Sequence, residues 1–415
     1  MSVMSEINWD DFSTVLAESA KDQQLLNMMF WLDGWKEAYS KAGLSHSAVR
    51  LVELLESPYF DVFNDKMFYV GSGGSRVNIG LLATWLARRS AEVGGETALQ
   101  DVRRLIEEGR APLIDVLVLA GIEVDGVYDV GGGFKLVPLS HLGEYDILHF
   151  GKYLYSGGPA INDAYPSAAL VSVSPAVEYA GSTNQMGDNQ ELYADQELFR
   201  LVLCLLSSGG APTPLGRWSL LPQSVPFSGC LDGRCTYALE IKHSKVEQGF
   251  SKNEIEIAID LYGKLKLFSE KARAPIVIAL NRLSQSMNTW DSVQQVIDLG
   301  VALESVLVGE TTDQLSYQFR LMGALLTGDT LEERKRSWDV FKAIYTLRSK
   351  AVHNGILPNT RFNVYGEQQK LSCREVVLEG SRLGRKAILA IIEMGGITAE
   401  EYTSFILSAG GRVTG

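Results

Sequence analysis

The sequence predicts an α+β region over residues 1–250 followed by an all-α helical bundle over residues 251–415. Three observations carry this prediction. The pattern changes near residue 252: before it, helical stretches alternate with short β-like runs bounded by Gly, Pro, Ser and Asn; after it, one helical stretch follows another. The second half also carries helix-start signals, with Thr330 and Glu333, Ser372 and Glu375, and Thr398 and Glu401 at capping-box spacing. Charge divides at the same place. Residues 1–250 hold 18 Lys+Arg against 31 Asp+Glu, a balance of −13, whereas residues 251–415 hold 20 against 19, a balance of +1.

In the first half, helical periodicity appears at 47–56, 79–93, 98–109 and 195–208. The β-like runs are "FDVFNDKMFYVG" (60–71), "GGGFKLVPL" (131–139) and "AALVSVSPAVEYA" (168–180). Residues 155–167 and 181–190 read as surface loops, rich in Gly, Ser, Asn and Pro. In the second half, helices are expected in "KNEIEIAIDLYGKLKLF", "APIVIALNRLSQSM", "SVQQVIDLGVALESVLV" and "TDQLSYQFRLMGALL", then in "TLEERKRSWDVFKAIYTLRSKAVH" and "LSCREVVLEGSRLGRKAILAIIEMG". Their short connections favour antiparallel neighbours.

Composition excludes several classes. No apolar run approaches the roughly 18–20 residues of a membrane span, and the acidic start "MSVMSEINWDDFS" is unlike a secretion signal. Four cysteines in 415 residues make no disulfide framework, so a reducing cytoplasm is the expected location. A net charge of −12 argues against non-specific coating of nucleic acid, while leaving room for a local phosphate site in the balanced second half.

The stretch "YTLRSKAVHNG" (345–355) holds the candidate chemistry. Trp338, Phe341, Ile344, Tyr345 and Val352 recur at three- and four-residue steps, a buried stripe on which Arg348 also falls. An arginine facing a core is costly unless it is paired, and Glu304 is the lone charge in the apolar run "LGVALESVLVG". His353 comes just before "NG", a stop signal that puts it in the last helical turn. Five residues along a helix are about 500° of rotation, so Arg348 and His353 point about 140° apart. Two arrangements bring them to one substrate: the helix unwinds near Asn354-Gly355, or a second copy supplies the complementary group. The same residues also admit a purely structural reading, with Arg348 paired to Glu304 and His353 closing the helix.

Taken in order, "ALE" (302–304), "LSYQFRLMGALLTGD", and "ERKRSWDVFKAIYTLRSKAVHNG" resemble the Apea-like branch of the HEPN superfamily over roughly residues 270–395. Members share a helical bundle with an R-x4-H-type motif, matched here by Arg348 and His353. The resemblance implies metal-independent RNA cleavage, in which the 2′-OH attacks its own phosphate to leave a 2′,3′-cyclic phosphate and a 5′-OH. It implies a homodimer, or a higher homo-oligomer, joined through the C-terminal bundle with the active site shared between copies. It also implies a toxin or antiviral defence role, with residues 1–250 receiving a trigger or restraining the nuclease. Histidine suits proton transfer near neutrality, and arginine suits charge developing on phosphoryl oxygens. Many members carry Asn, Asp or His directly after the arginine, where this chain has Ser349. Lys350 and Asn354 are expected to supplement it at the phosphate, and Glu304 to orient Arg348. No cofactor or metal is implied. The rival expectation is an idle HEPN module that dimerises and binds RNA or a partner without cutting.

Other signals carry less. "FYVGSGGSRVNIG" (68–80) suggests a phosphate loop but lacks the Gly-Lys-Ser/Thr ending, so a tight turn is expected. Cys230, Cys235 and His243 offer three of the four ligands of a zinc site, without CxxC spacing. His46, His141 and His149 have no neighbouring constellation, and "ERKRS" (333–337) reads as a solvated basic face.

Overall fold

A computed structural model describes residues 8–22, 25–26, 43–64, 66–70, 73–144, 166–178, 190–207, 210–229, 232–236, 249–308, 314–397 and 401–409. The N-terminal part is α+β and the C-terminal half is helical, as the sequence pattern predicts. The first elements are α1 (Trp9–Ser19), α2 (His46–Leu55) and a 3-10 turn (Pro58–Phe63). After them come the hairpin β1 (Lys66–Val70) and β2 (Gly73–Val77), then α3 (Ile79–Val93) and α4 (Gly95–Glu108). Asn78 caps α3 by accepting from the Leu81 amide at 2.9 Å. The glycine-rich stretch that resembled a phosphate loop thus joins two paired strands, and Gly73 and Gly74 lie inside β2.

Next come β3 (Arg110–Ala120), β4 (Tyr128–Gly131), β5 (Phe134–Pro138), β6 (Pro166–Glu178), α5 (Gln190–Leu206), β7 (Thr213–Leu220) and β8 (Asp232–Thr236). Six of these strands form one antiparallel sheet in the order β4-β5-β6-β3-β7-β8. Its central strand, β3, was not expected from the sequence pattern. "LIDVLVLA" is buried on both faces, so it shows no alternation of apolar and polar residues, and it follows α4 after a single residue.

The two faces of β3 serve different cores. Ile114, Val116, Val118 and Ala120 pack with Val171 and Trp218 on one face. On the other, Ala111 and Leu113 join the core of α1–α4, while Leu117 and Leu119 join the core of the helical half. Asp115 lies between these two cores on the same face.

The helical half comprises α6 (Lys252–Leu267), α7 (Glu270–Asn288), α8 (Ser292–Leu307), α9 (Leu315–Thr327), α10 (Leu331–Asn354), α11 (Cys373–Glu393) and α12 (Tyr402–Ala409). Thr330 and Ser372 form the expected capping boxes with Glu333 and Glu375, and Ser251 forms another with Glu254. Thr398, the third expected cap, lies outside the described residues. α5 packs against α6, α7 and α11, and the core of the helical half runs without a break from Leu117, Leu136 and Phe199 to Leu303, Ile344 and Ile388. Residue 251 therefore begins a helix without ending a core. Among the described residues, no helix is long and apolar enough to cross a membrane.

Candidate functional site

The site is built around α10, whose side chains at steps of three and four meet three neighbouring helices. Glycine lets each neighbour come close. A Cβ on Gly323 of α9 would meet the Phe341 ring, one on Gly380 of α11 would sit 2.6 Å from Ile344 Cδ1, and one on Gly300 of α8 would collide with Arg348 Cβ and Cγ. Arg348 is thereby seated by its stem against the backbone of α8.

Its guanidinium continues to Glu304, one turn further along α8. Arg348 Nη2 donates to Glu304 Oε2 at 2.8 Å, with the two side chains 30% and 25% exposed. The pairing expected of an arginine on an apolar stripe and the lone charge of another apolar run is therefore present. Burial pushes the Glu304 carboxyl above its ordinary range, and the Arg348 charge pulls it part of the way back. Arg348 Nε is buried without a hydrogen-bond acceptor among the described residues. Of the five N–H donors of a guanidinium, one Nη2 donor is taken by Glu304 and the Nε donor is buried, which leaves the remaining donors of the Nη atoms.

His353 is exposed in the last turn of α10, with no hydrogen bond or ion pair among the described residues. The helix runs regularly through Asn354, and Gly355 closes it in a left-handed conformation (φ 66°), its amide donating to the Ala351 carbonyl at 3.0 Å. The helix thus ends at Asn354-Gly355, where the first of the two expected arrangements puts the break, but the break comes after His353 and leaves His353 in helical geometry. Arg348 and His353 of one copy thus diverge by about 140°.

The supporting residues divide between two faces. Ser349 is half-buried, whereas Lys350 and Asn354 are exposed near His353 and away from Arg348. Val352, expected on the buried stripe, is 51% exposed, because the stripe ends at Ala351 where the neighbouring helices stop covering α10. Ile356, just beyond the helix end, is 67% exposed. The structure therefore brings Arg348 and Glu304 together and leaves His353, Lys350 and Asn354 as a separate exposed group.

Two features were missed in the sequence. Gly300 gives no sign of what it faces, because a glycine within a helical run looks the same wherever it points. The other is a buried polar cluster around Asp115. Ser219 Oγ and Tyr193 Oη donate to Asp115 Oδ1, Arg217 Nη1 donates to Gln196 Oε1, and the Arg217 guanidinium lies 3.9 Å from the Tyr193 ring centre. Burial pushes the Asp115 carboxyl up, opposed by the Ser219 hydroxyl, the Arg217 charge and the Tyr193 hydroxyl. Asp115 is the single charge in "LIDVLVLA", the same signal that singled out Glu304.

Among the described residues, no group of three or more His, Cys, Asp or Glu side chains is placed to hold a metal. Cys230 and His243 of the possible zinc set, and the side chain of Cys235, lie outside the described residues, as do His149 and most of 155–167 and 181–190. Comparison with family models, with curated proteins and with solved structures finds no match to this chain.

Proposed function

We propose that the chain is a metal-independent endoribonuclease of the HEPN type, acting as a homodimer whose active site combines Arg348 and His353 from two copies. One observation carries this reading. A guanidinium held by Glu304 and an exposed imidazole with no partner among the described residues lie on one unbroken helix, yet they point too far apart to serve the same phosphate from a single copy. A two-fold pairing of the ends of α10 removes that obstacle. Exposed Val352 and Ile356 beside His353 supply apolar surface for it.

In this reading, one His353 takes the proton of a ribose 2′-OH as its oxygen bonds to the adjacent phosphorus. The bond from phosphorus to the 5′-oxygen breaks, and His353 of the second copy protonates that leaving oxygen. Arg348 stabilises charge developing on the phosphoryl oxygens. Glu304 orients Arg348, and Lys350 and Asn354 meet the flanking backbone of the RNA. The resemblance supports a toxin or defence role for such an enzyme, with residues 1–250 as its regulatory part.

The test is incubation of the purified protein with RNA in EDTA. Cleavage that leaves 2′,3′-cyclic phosphate ends, and that is lost in Arg348→Ala and His353→Ala, is expected. Unchanged cleavage by His353→Ala rules the reading out. The Arg348–Glu304 pair alone equally suits an idle helical module that binds RNA or a partner, and binding without cleavage would favour that reading.

A further inference from the structure

We infer that Gly300 is a positioning residue for Arg348: its missing side chain sets the spacing of α8 and α10 that puts the guanidinium on Glu304. The inference rests on the nuclease reading for its consequence in catalysis, though not for its geometry.

Glycine weakens a helix interior, and α8 carries one in its middle turn. Among the described residues, four such glycines stand at crossings in the helical half. Gly323 receives Phe341, Gly380 receives Ile344 and Gly384 receives Leu303, all apolar core contacts. Gly300 alone of these receives a charged side chain. What it meets is also different. A Cβ on Gly384 would come 2.8 Å from Leu303 Cδ2, the far end of a side chain that turns aside by rotation. On Gly300 it would sit under 3.0 Å from both Cβ and Cγ of Arg348. Cβ is fixed to the backbone of α10, and Cγ moves clear only if the whole side chain turns about its first torsion. Either the helices separate or Arg348 changes rotamer, and in both cases the 2.8 Å contact with Glu304 is lost.

The test compares Gly300→Ala with Gly380→Ala, which crowds Ile344 one turn earlier on the same helix. Two measurements are made on each full-length variant. The first is RNA cleavage, where Gly300→Ala is expected to lower kcat about tenfold or more with KM little changed, and Gly380→Ala to leave kcat within about twofold. The second needs no activity: the Glu304 carboxyl titration followed by carbon NMR. Arg348 holds that carboxyl down, so it is expected to titrate higher in Gly300→Ala and to stay put in Gly380→Ala. An unchanged Glu304 titration in Gly300→Ala, or equal effects of both variants, overturns the inference. A wild-type protein that cleaves no RNA overturns the nuclease reading instead, and the titration still decides the role of Gly300. Should Gly300→Ala fail to fold, Gly300→Ala/Arg348→Ala, which takes away the crowded Cγ, is expected to recover. A double variant no more soluble than the single one overturns the inference as well.

Discussion

Replacing Glu304 by Ala separates an orienting carboxylate from an acid–base catalyst. The substitution takes away the acceptor that Arg348 Nη2 reaches at 2.8 Å. Exposed ion pairs contribute about 0.2–1 kcal/mol, and removing one partner of a buried pair costs about 3–5 kcal/mol. With side chains 30% and 25% exposed, this pair falls between, at about 1–2 kcal/mol after allowance for solvent screening. At roughly 1.4 kcal/mol per tenfold in rate, full expression of that loss in the transition state slows cleavage about five- to thirty-fold. Glu304→Gln keeps an amide oxygen as acceptor and is expected to lose less. Single-turnover cleavage of a labelled RNA, run beside urea unfolding of each variant, measures both quantities. Full activity in Glu304→Ala would show that orientation by this carboxylate is irrelevant. Activity as low as that of Arg348→Ala would make Glu304 part of the chemistry itself.

Three further outcomes follow from the same geometry. His353→Ala is expected to abolish cleavage while moving stability by no more than about 0.5 kcal/mol, because the ring is exposed and unpaired; thermal melting checks the second half of that statement. Mixing wild-type chains with an excess of His353→Ala chains is expected to lower the activity per wild-type chain, since each mixed dimer holds one of the two imidazoles the step needs; undiminished activity after verified subunit exchange would contradict a site shared between copies. Asp115→Asn is expected to raise the melting temperature at neutral pH. The folded-state pKa of Asp115 is raised by burial, so the native chain binds more protons than the unfolded one between the ordinary carboxylate range and that higher value. Stability therefore falls as pH rises through this window, and urea midpoints measured across it are expected to lose that slope in Asp115→Asn.

What was legible in the sequence depended on whether a residue announces its surroundings. α3 was marked by periodicity, and it ends at Val93 as expected. α10 was framed by Thr330 and Gly355, whose capping chemistry is local. The Arg348–Glu304 pair could be read because Arg348 falls on an apolar helical stripe and Glu304 is the lone charge in an apolar run, and a charge so placed needs a partner. β3 escaped because a strand covered on both faces has no period to detect. With the strand unrecognised, Asp115 escaped too, although it carries the same signature as Glu304. The reach of α5 into the core of the helical half is a matter of tertiary packing, on which its own periodicity is silent.

β3 contributes Leu113 to one hydrophobic centre and Leu117 to another, so the helical half is not a detachable cartridge. A fragment starting at residue 251 would leave the surfaces against Phe199, Val202 and Leu136 facing water, and it is expected to clump rather than yield a free nuclease. Any agent that tugs on this one ribbon pulls on both ends of the molecule at once.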